Sequence, residues 1–206
     1  GSLQFYPGLK LDAIECCNNR WLAHMSSGDH LSASALLLTP PVPQIRALFQ
    51  KSEIDISPDI AERLGSIEYE KCLAVLAQLN GPSAIDSPGG MKFVEGPISW
   101  LADNKQKGIS KVPAVTIHAA AAFSQQHWQA DRQESGELLL EAAESWLGSG
   151  VSEFQVHGWR YAKPVLAEPE RCLVINSTPP LVLAGDAFGG PRVEGAAMSG
   201  WSAAAT

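Results

Sequence analysis

The chain has 206 residues, 45% of them hydrophobic and 18% charged, a balance that suits a globular protein of one large domain or two small ones. Its 22 acidic residues outnumber 15 basic ones, and the formal net charge of −7 with no basic cluster argues against a nucleic-acid partner. No apolar run approaches the roughly 20 residues of a membrane-spanning helix, and no basic segment leads into an apolar stretch as in a signal peptide.

Gly1-Ser2 reads as an expression remnant and is left out of the fold reading. From Leu9 onward the pattern is short and strand-like. "LDAIECC", the turn pair Asn18-Asn19 and "RWLAHMS" predict an antiparallel hairpin or meander. The continuous apolar run 33–39 predicts a strand buried on both faces, ending at Pro40, Pro41 and Pro43. A helix should follow, with Pro43 in its first turn and Ile45, Leu48 and Phe49 at helical spacing. Ser57 and Pro58 predict a second short helix as its cap and first residue.

Four candidate strands come next, at 69–79, 91–96, 98–104 and 114–123, separated by turn-rich segments. Strands joined by turn-sized connections imply an antiparallel sheet. The clearest helical pattern is 135–147. Ser135 is its expected cap, Leu138, Leu139, Ala142 and Trp146 its apolar face, and Gly148 its stop. Residues 153–162 alternate as a strand weakened by Gly158, with His157, Trp159 and Tyr161 on one face and Arg160 on the other. "RCLVINS" and "LVLAGD" add two short strands before an Ala- and Gly-rich helical tail at 194–206. The fold class is α+β: a mostly antiparallel sheet of about five to seven strands with flanking helices.

The four cysteines form no C-x-x-C pair and read as free thiols of a reducing compartment, a cytoplasm or an organelle stroma. The five histidines lack metal-ligand spacing, so no metal site is expected. His118, mid-strand among Ala and Ile, reads as a hydrogen-bonded core histidine, and Trp128 as core or rim packing.

The strongest site candidate is "LVLAGDAFGGPRVEGAAMSG", residues 181–200. A strand delivers Gly185 and Asp186 to its carboxyl end, where α/β folds bind ligands. Gly189, Gly190 and Gly195 permit close approach of backbone to another molecule. The amides from Val193 to Ala196 would be the unpaired donors of a helix start, a setting for negative charge. A tight strand-to-helix turn is the alternative. His157, Trp159 and Tyr161 could line a pocket for a flat substrate, or simply pack across strands.

As a string, "GDAFGGPRVEGAAMSGWSAA" resembles the C-terminal flavin-binding motif of the renalase-like amine oxidase superfamily of FAD-dependent oxidoreductases. "LLLTPPVPQIRALF", "YEKCLAVLAQL", "ISWLADNKQKG", "VTIHAAAAFSQQHW" and "VHGWRYAKP" follow in the order of that family's segments, so the similarity runs from about residue 9 to the end. The resemblance implies a remnant of the FAD-binding α/β domain at residues 1–50 and 166–206, with a substrate domain at 51–165. It implies that Asp186 bonds the ribityl or phosphate region of FAD. Gly185, Arg192, Val193, Glu194, Gly195 and Ala196 would complete the cofactor contacts, with 193–195 presenting backbone to the pyrimidine end of the flavin ring. His157, Trp159 and Tyr161 would border the cavity over the flavin and face a small-molecule substrate.

The family opens with a strand, a G-x-G-x-x-G turn and a helix holding the FAD pyrophosphate, and none of this matches here. That segment is expected upstream of residue 1, so this chain by itself should be inactive and should not retain FAD. The expected whole is an oxidoreductase passing a hydride from a reduced dinucleotide-type or amine substrate to flavin, with no side chain assigned as catalytic acid or base. The alternative is a non-catalytic binding or scaffold protein that keeps the substrate-domain fold without FAD.

Overall fold

The computed structural model describes residues 4–206. Two compact units divide the chain: Gly1–Glu68 with Lys163–Thr206, and Tyr69–Ala162.

The first unit opens on the expected meander, β1 (Leu11–Cys17), β2 (Arg20–Met25) and β3 (His30–Ala33), paired antiparallel in that order. Asn18 and Asn19 both take positive φ, 51° and 59°, which is the backbone a two-residue hairpin turn requires and asparagine tolerates. The strand expected at 33–39 is only β4 (Leu36–Leu38), and Leu37 is 47% exposed, so burial on both faces does not hold. Burial is one-sided, with Leu38 buried and Leu37 turned outward, and β4 lies at the edge of a three-stranded sheet.

Helix α1 (Val42–Lys51) has Pro43 in its first turn and buries Val42, Ile45 and Phe49. Helix α2 (Pro58–Gly65) is capped by Ser57, whose hydroxyl accepts the Ile60 amide at 3.3 Å.

The second unit is a five-stranded sheet built from β5 (Tyr69–Leu79), β6 (Gly90–Lys92), β7 (Ile98–Asp103), β8 (Ala114–Ala119) and β9 (Val151–Pro164). Its order is β6-β7-β8-β5-β9, with antiparallel pairs β6/β7, β7/β8 and β5/β8. The strand expected at 114–123 stops at Ala119, because the chain turns at Ala120 into a short helix, α3 (Ala121–Gln126). Ala-rich sequence carries no strand preference of its own, and there the helix prevails. The strand expected at 91–96 shortens to three residues, Gly90–Lys92.

The main helix, α4 (Arg132–Leu147), starts a turn earlier than the Ser135 cap predicts. Asp131 takes that place: its carboxylate accepts the amides of Gln133 at 2.8 Å and Glu134 at 3.1 Å. Ser135 is instead buried inside the first turn, donating to the Asp131 carbonyl at 2.7 Å. The buried face is Leu139, Ala143 and Leu147, while Leu138 is 43% exposed. Leu139 is common to the expected face, and Ala142 and Trp146 are partly buried against the same core, so only Leu138 falls outside it.

Alternation along the sheet sorts its two faces. Leu73, Val75, Ala77 and Leu79 of β5, with Val115, Ile117 and Ala119 of β8, enter the core under α4. The helix lies close because Gly136 has no side chain: a Cβ there would strike the Phe154 ring and come within 2.7 Å of Val156. Gly158, read above as a weakness, makes room in the same way for Trp128, whose ring would lie 3.2 Å from a Cβ.

The end segments of the first unit meet. β10 (Leu173–Ser177) pairs antiparallel with β11 (Pro180–Leu183), and β11 pairs parallel with β4 in the register Leu181–Leu36 to Leu183–Leu38. The Trp21 indole donates to the Pro180 carbonyl at 2.9 Å and adds a second tie. The last helix is α5 (Val193–Ala204).

Candidate functional site

The first candidate site lies in the first unit, where β11 hands the chain to α5. Leu181 to Ala184 are fully buried, so the strand has no freedom to slide, and the Ala184 amide donates to the Leu38 carbonyl at 3.1 Å. Gly185 follows with φ 135°, its amide donating to Ser199 Oγ on α5 at 2.9 Å. Ser199 is fully buried and thereby ties the helix to the strand end.

Asp186 comes next and is half-buried. Burial raises its carboxyl above the usual 3.8, only partly offset by its own amide and that of Ala187. No cation forms an ion pair with it among the described residues.

The chain then anchors through Ala187 and Phe188, both nearly inaccessible, and opens into Gly189 (φ 79°) and Gly190 (φ 134°). Those angles lie where a side chain is strained, so glycine serves the turn itself. Gly195 serves close approach: a Cβ there would run into the Gly190 carbonyl.

Arg192 is the residue before α5, in extended backbone, and no side chain caps the helix start. The amides of Val193, Glu194 and Gly195 have no hydrogen-bond partner among the described residues. Ala196 departs from expectation, because its amide already donates to the Arg192 carbonyl at 2.9 Å. It is the fourth helical residue, the first whose amide reaches a carbonyl of its own turn. Gly189, Gly190, Pro191, Arg192, Glu194 and Gly195, with Arg171 and Met198, line a cavity of about 280 Å³. Small residues and unpaired amides at a helix start form a cradle that fits the edge of a planar, hydrogen-bond-accepting ring.

The second candidate site is the face of the five-stranded sheet that α4 leaves open. Ala74, Leu76, Thr116, His118, Gln155, His157 and Trp159 line a cavity of about 380 Å³ on it, together with Val156. The pairs Ala74–His118 and Leu76–Thr116 in the β5/β8 register set these side chains side by side. His157 and Trp159 meet edge to face at 4.3 Å between ring centroids, and Trp159 is 54% exposed. Arg160 turns to the opposite face, as alternation requires, with its guanidinium 5.6 Å from the Trp128 ring centroid.

Tyr161 is not among the residues lining this cavity; it packs edge to face on Tyr69 at 5.5 Å. His118 corrects the sequence reading. It is half-buried and lines the cavity, and burial pushes its imidazole below the usual 6.5. A neighbouring cavity of about 540 Å³ shares Leu76 and Gln155 and adds Gln78, Asn104 and Glu153, none of them singled out from sequence. Alternation along β5 was the signal that could have found Gln78; Asn104, just past β7, and Glu153 of β9 carried none.

The thiols are all free. Cys16 and Cys17 are exposed, while burial pushes the Cys72 thiol up to about 11. No group of three or more His, Cys, Asp or Glu side chains suited to a metal ion occurs among the described residues. Nor is any of their helices long and apolar enough to cross a membrane.

The renalase of Mus musculus is 24% identical over 185 residues, a match covering 85% of this chain and 54% of that protein. The chain therefore spans about half the length of the curated relative it matches. Two solved structures share the fold. An oxidoreductase from Methanosarcina mazei gives a TM-score of 0.66 at 16% identity, over 97% of this chain and 49% of its own. Cyclohexylamine oxidase from Brevibacterium oxydans gives 0.65 at 16% identity, over 95% of this chain and 47% of its own. Residues 6–206 match the profile described as flavin containing amine oxidoreductase, and the chain belongs to that family.

Proposed function

We propose that this chain is the substrate-binding unit and the flavin-edge portion of an FAD-dependent oxidoreductase that takes a hydride from a reduced dinucleotide-type or amine substrate. The observation that carries the reading is the loop 185–195. It places a half-buried carboxylate without a cation, three positive-φ glycines and three unpaired helix-start amides within eleven residues. Such a set fits FAD, and the family match supports it. FAD supplies the hydride-accepting ring when bound, so the protein's part is binding, orientation and electrostatics.

Each residue set has a task in this reading. The amides of Val193, Glu194 and Gly195, at the positive end of α5, favour negative charge on a ring edge presented to them. Asp186 accepts hydrogen bonds from hydroxyls of the ribityl chain, and Gly185 and Arg192 frame the same loop. On the sheet of the second unit, His157, Trp159 and His118 form an aromatic wall for a flat small molecule, with Thr116 and Gln155 as polar guides. Tyr161 packs on Tyr69 and is not part of that wall. No side chain is assigned as acid or base.

The test is a visible spectrum of the longest form of the protein its gene encodes. Anaerobic additions of a reduced nicotinamide dinucleotide and of an amine should follow. Flavin bands that bleach with one of these substrates are expected. A colourless protein, or a flavin that neither class reduces, would overturn the proposal.

A further inference from the structure

We propose that Arg63 of α2 is a positioning residue for the loop 185–190, acting through Glu168; this rests on the flavin reading of that loop. The Arg63 guanidinium grips Glu168 with two bonds, Nη2 to Oε1 at 2.7 Å and Nε to Oε2 at 3.3 Å. The same Nη2 lies 3.0 Å from Glu170, and Nη1 lies 4.0 Å from Asp59. Those last two carboxylates are 63% and 80% exposed, where ion pairs contribute little. Glu168 is different at 7% exposed, and Arg63 is its only ion-pair partner among the described residues.

The backbone of Glu168 links this grip to the loop. Its amide donates to the Ala187 carbonyl at 2.7 Å, and its carbonyl accepts the Gly189 amide at 3.0 Å. These two bonds form a parallel bridge between Glu168 and Phe188. The bridged residues stand between Asp186 and Gly190, so whatever holds Glu168 sets where the carboxylate and the glycine turn lie. Arg171 packs against the same loop, with Cγ 3.0 Å from where a Gly189 Cβ would stand.

Without Arg63, a buried carboxylate would be left uncompensated. Breaking one side of such a pair drives the remaining charge towards water. Here that movement would pull residue 168 off its two backbone bonds and release Ala187–Gly189. Lysine restores the charge but not the two-pronged geometry, so it should restore the clasp only in part.

Amide hydrogen exchange read by NMR on this chain tests the clasp, with Gly189 as reporter and Ala184, whose amide bonds Leu38, as the internal control. In Arg63→Ala, Gly189 should exchange at least about tenfold faster while Ala184 stays within about twofold of wild type. Arg63→Lys should fall between, and Glu170→Gln should leave both amides unchanged. Unaltered Gly189 exchange in Arg63→Ala would overturn the clasp, as would a common acceleration of both amides, the mark of plain destabilisation. Should Arg63→Ala fail to fold, Arg63→Lys decides: Gly189 must still exchange faster than wild type with Ala184 unchanged. A second arm reads FAD affinity in the longest form of the protein, where Arg63→Lys should weaken it. A wild type that never binds FAD sinks the flavin reading and leaves the exchange result standing. A wild type that binds, with Arg63→Lys equal to it, sinks the positioning role.

Discussion

At the residue scale, two titrating side chains carry testable signs. Burial raises the Asp186 carboxyl, so the charged form is the disfavoured one in the folded chain. Its contribution to stability is complete below the unfolded value of 3.8 and is lost as pH rises through the raised folded value. Asp186→Asn should therefore hold or raise the thermal midpoint at neutral pH and flatten its fall from acid to neutral. Were Asp186 a structural turn residue, the substitution would lower the midpoint, by about 1 kcal/mol of stability. His118 has the opposite sign. Burial lowers its imidazole, so its neutral form stabilises the fold above 6.5 and that support is lost as pH falls below it. Urea midpoints measured across that window should fall less steeply in His118→Gln than in wild type. An identical slope would mean the imidazole is freely solvated.

At the element scale, α4 is held by shape more than by propensity. An exposed Gly-to-Ala change inside a helix would gain about 1 kcal/mol. At Gly136 the new methyl would overlap the Phe154 ring and press on Val156, and overpacking of that kind costs about 1–3 kcal/mol. Gly136→Ala should thus lower the thermal midpoint, with near-ultraviolet dichroism reporting the displaced aromatic ring. An unchanged midpoint would show that α4 can lift from the sheet without cost. The local signals that define elements were legible where the chemistry is local. Asn18-Asn19 marked a hairpin, Ser57-Pro58 marked the start of α2, and the alternation of β5 gave its bounds, Tyr69–Leu79. They misled where two neighbours could serve equally. Asp131 and Ser135 are both good cap residues, and the helix uses Asp131, whose carboxylate takes the Gln133 and Glu134 amides, while Ser135 is buried in the first turn.

At the scale of the whole molecule, the two compact units carry different halves of the proposed chemistry. The loop cavity of about 280 Å³ falls below the usual range of ligand pockets, about 300–1,000 Å³, and FAD is a large ligand. No G-x-G-x-x-G turn is present in the 206 residues to hold a pyrophosphate. The chain by itself is therefore expected to bind FAD weakly or not at all, as read by equilibrium dialysis. A protein that purifies yellow with near-stoichiometric flavin would refute this.

By itself the sequence determined the α+β class, the antiparallel character of the second unit's sheet and the turn-forming loop of Gly185, Asp186 and Gly195. These rest on periodicity, turn chemistry and a contiguous motif, all carried by residues close in the chain. Only the tertiary structure decided that Leu36–Leu38 pairs in parallel with Leu181–Leu183, and that β4 is an edge with Leu37 half exposed. It alone placed His118 beside His157 and Trp159, and turned Tyr161 onto Tyr69. It also showed that the Ala196 amide is taken and that Arg63 grips Glu168. Such contacts join residues far apart in sequence, and they depend on which strands pair and in what register. Local patterns leave that open, because the same alternation fits several partners.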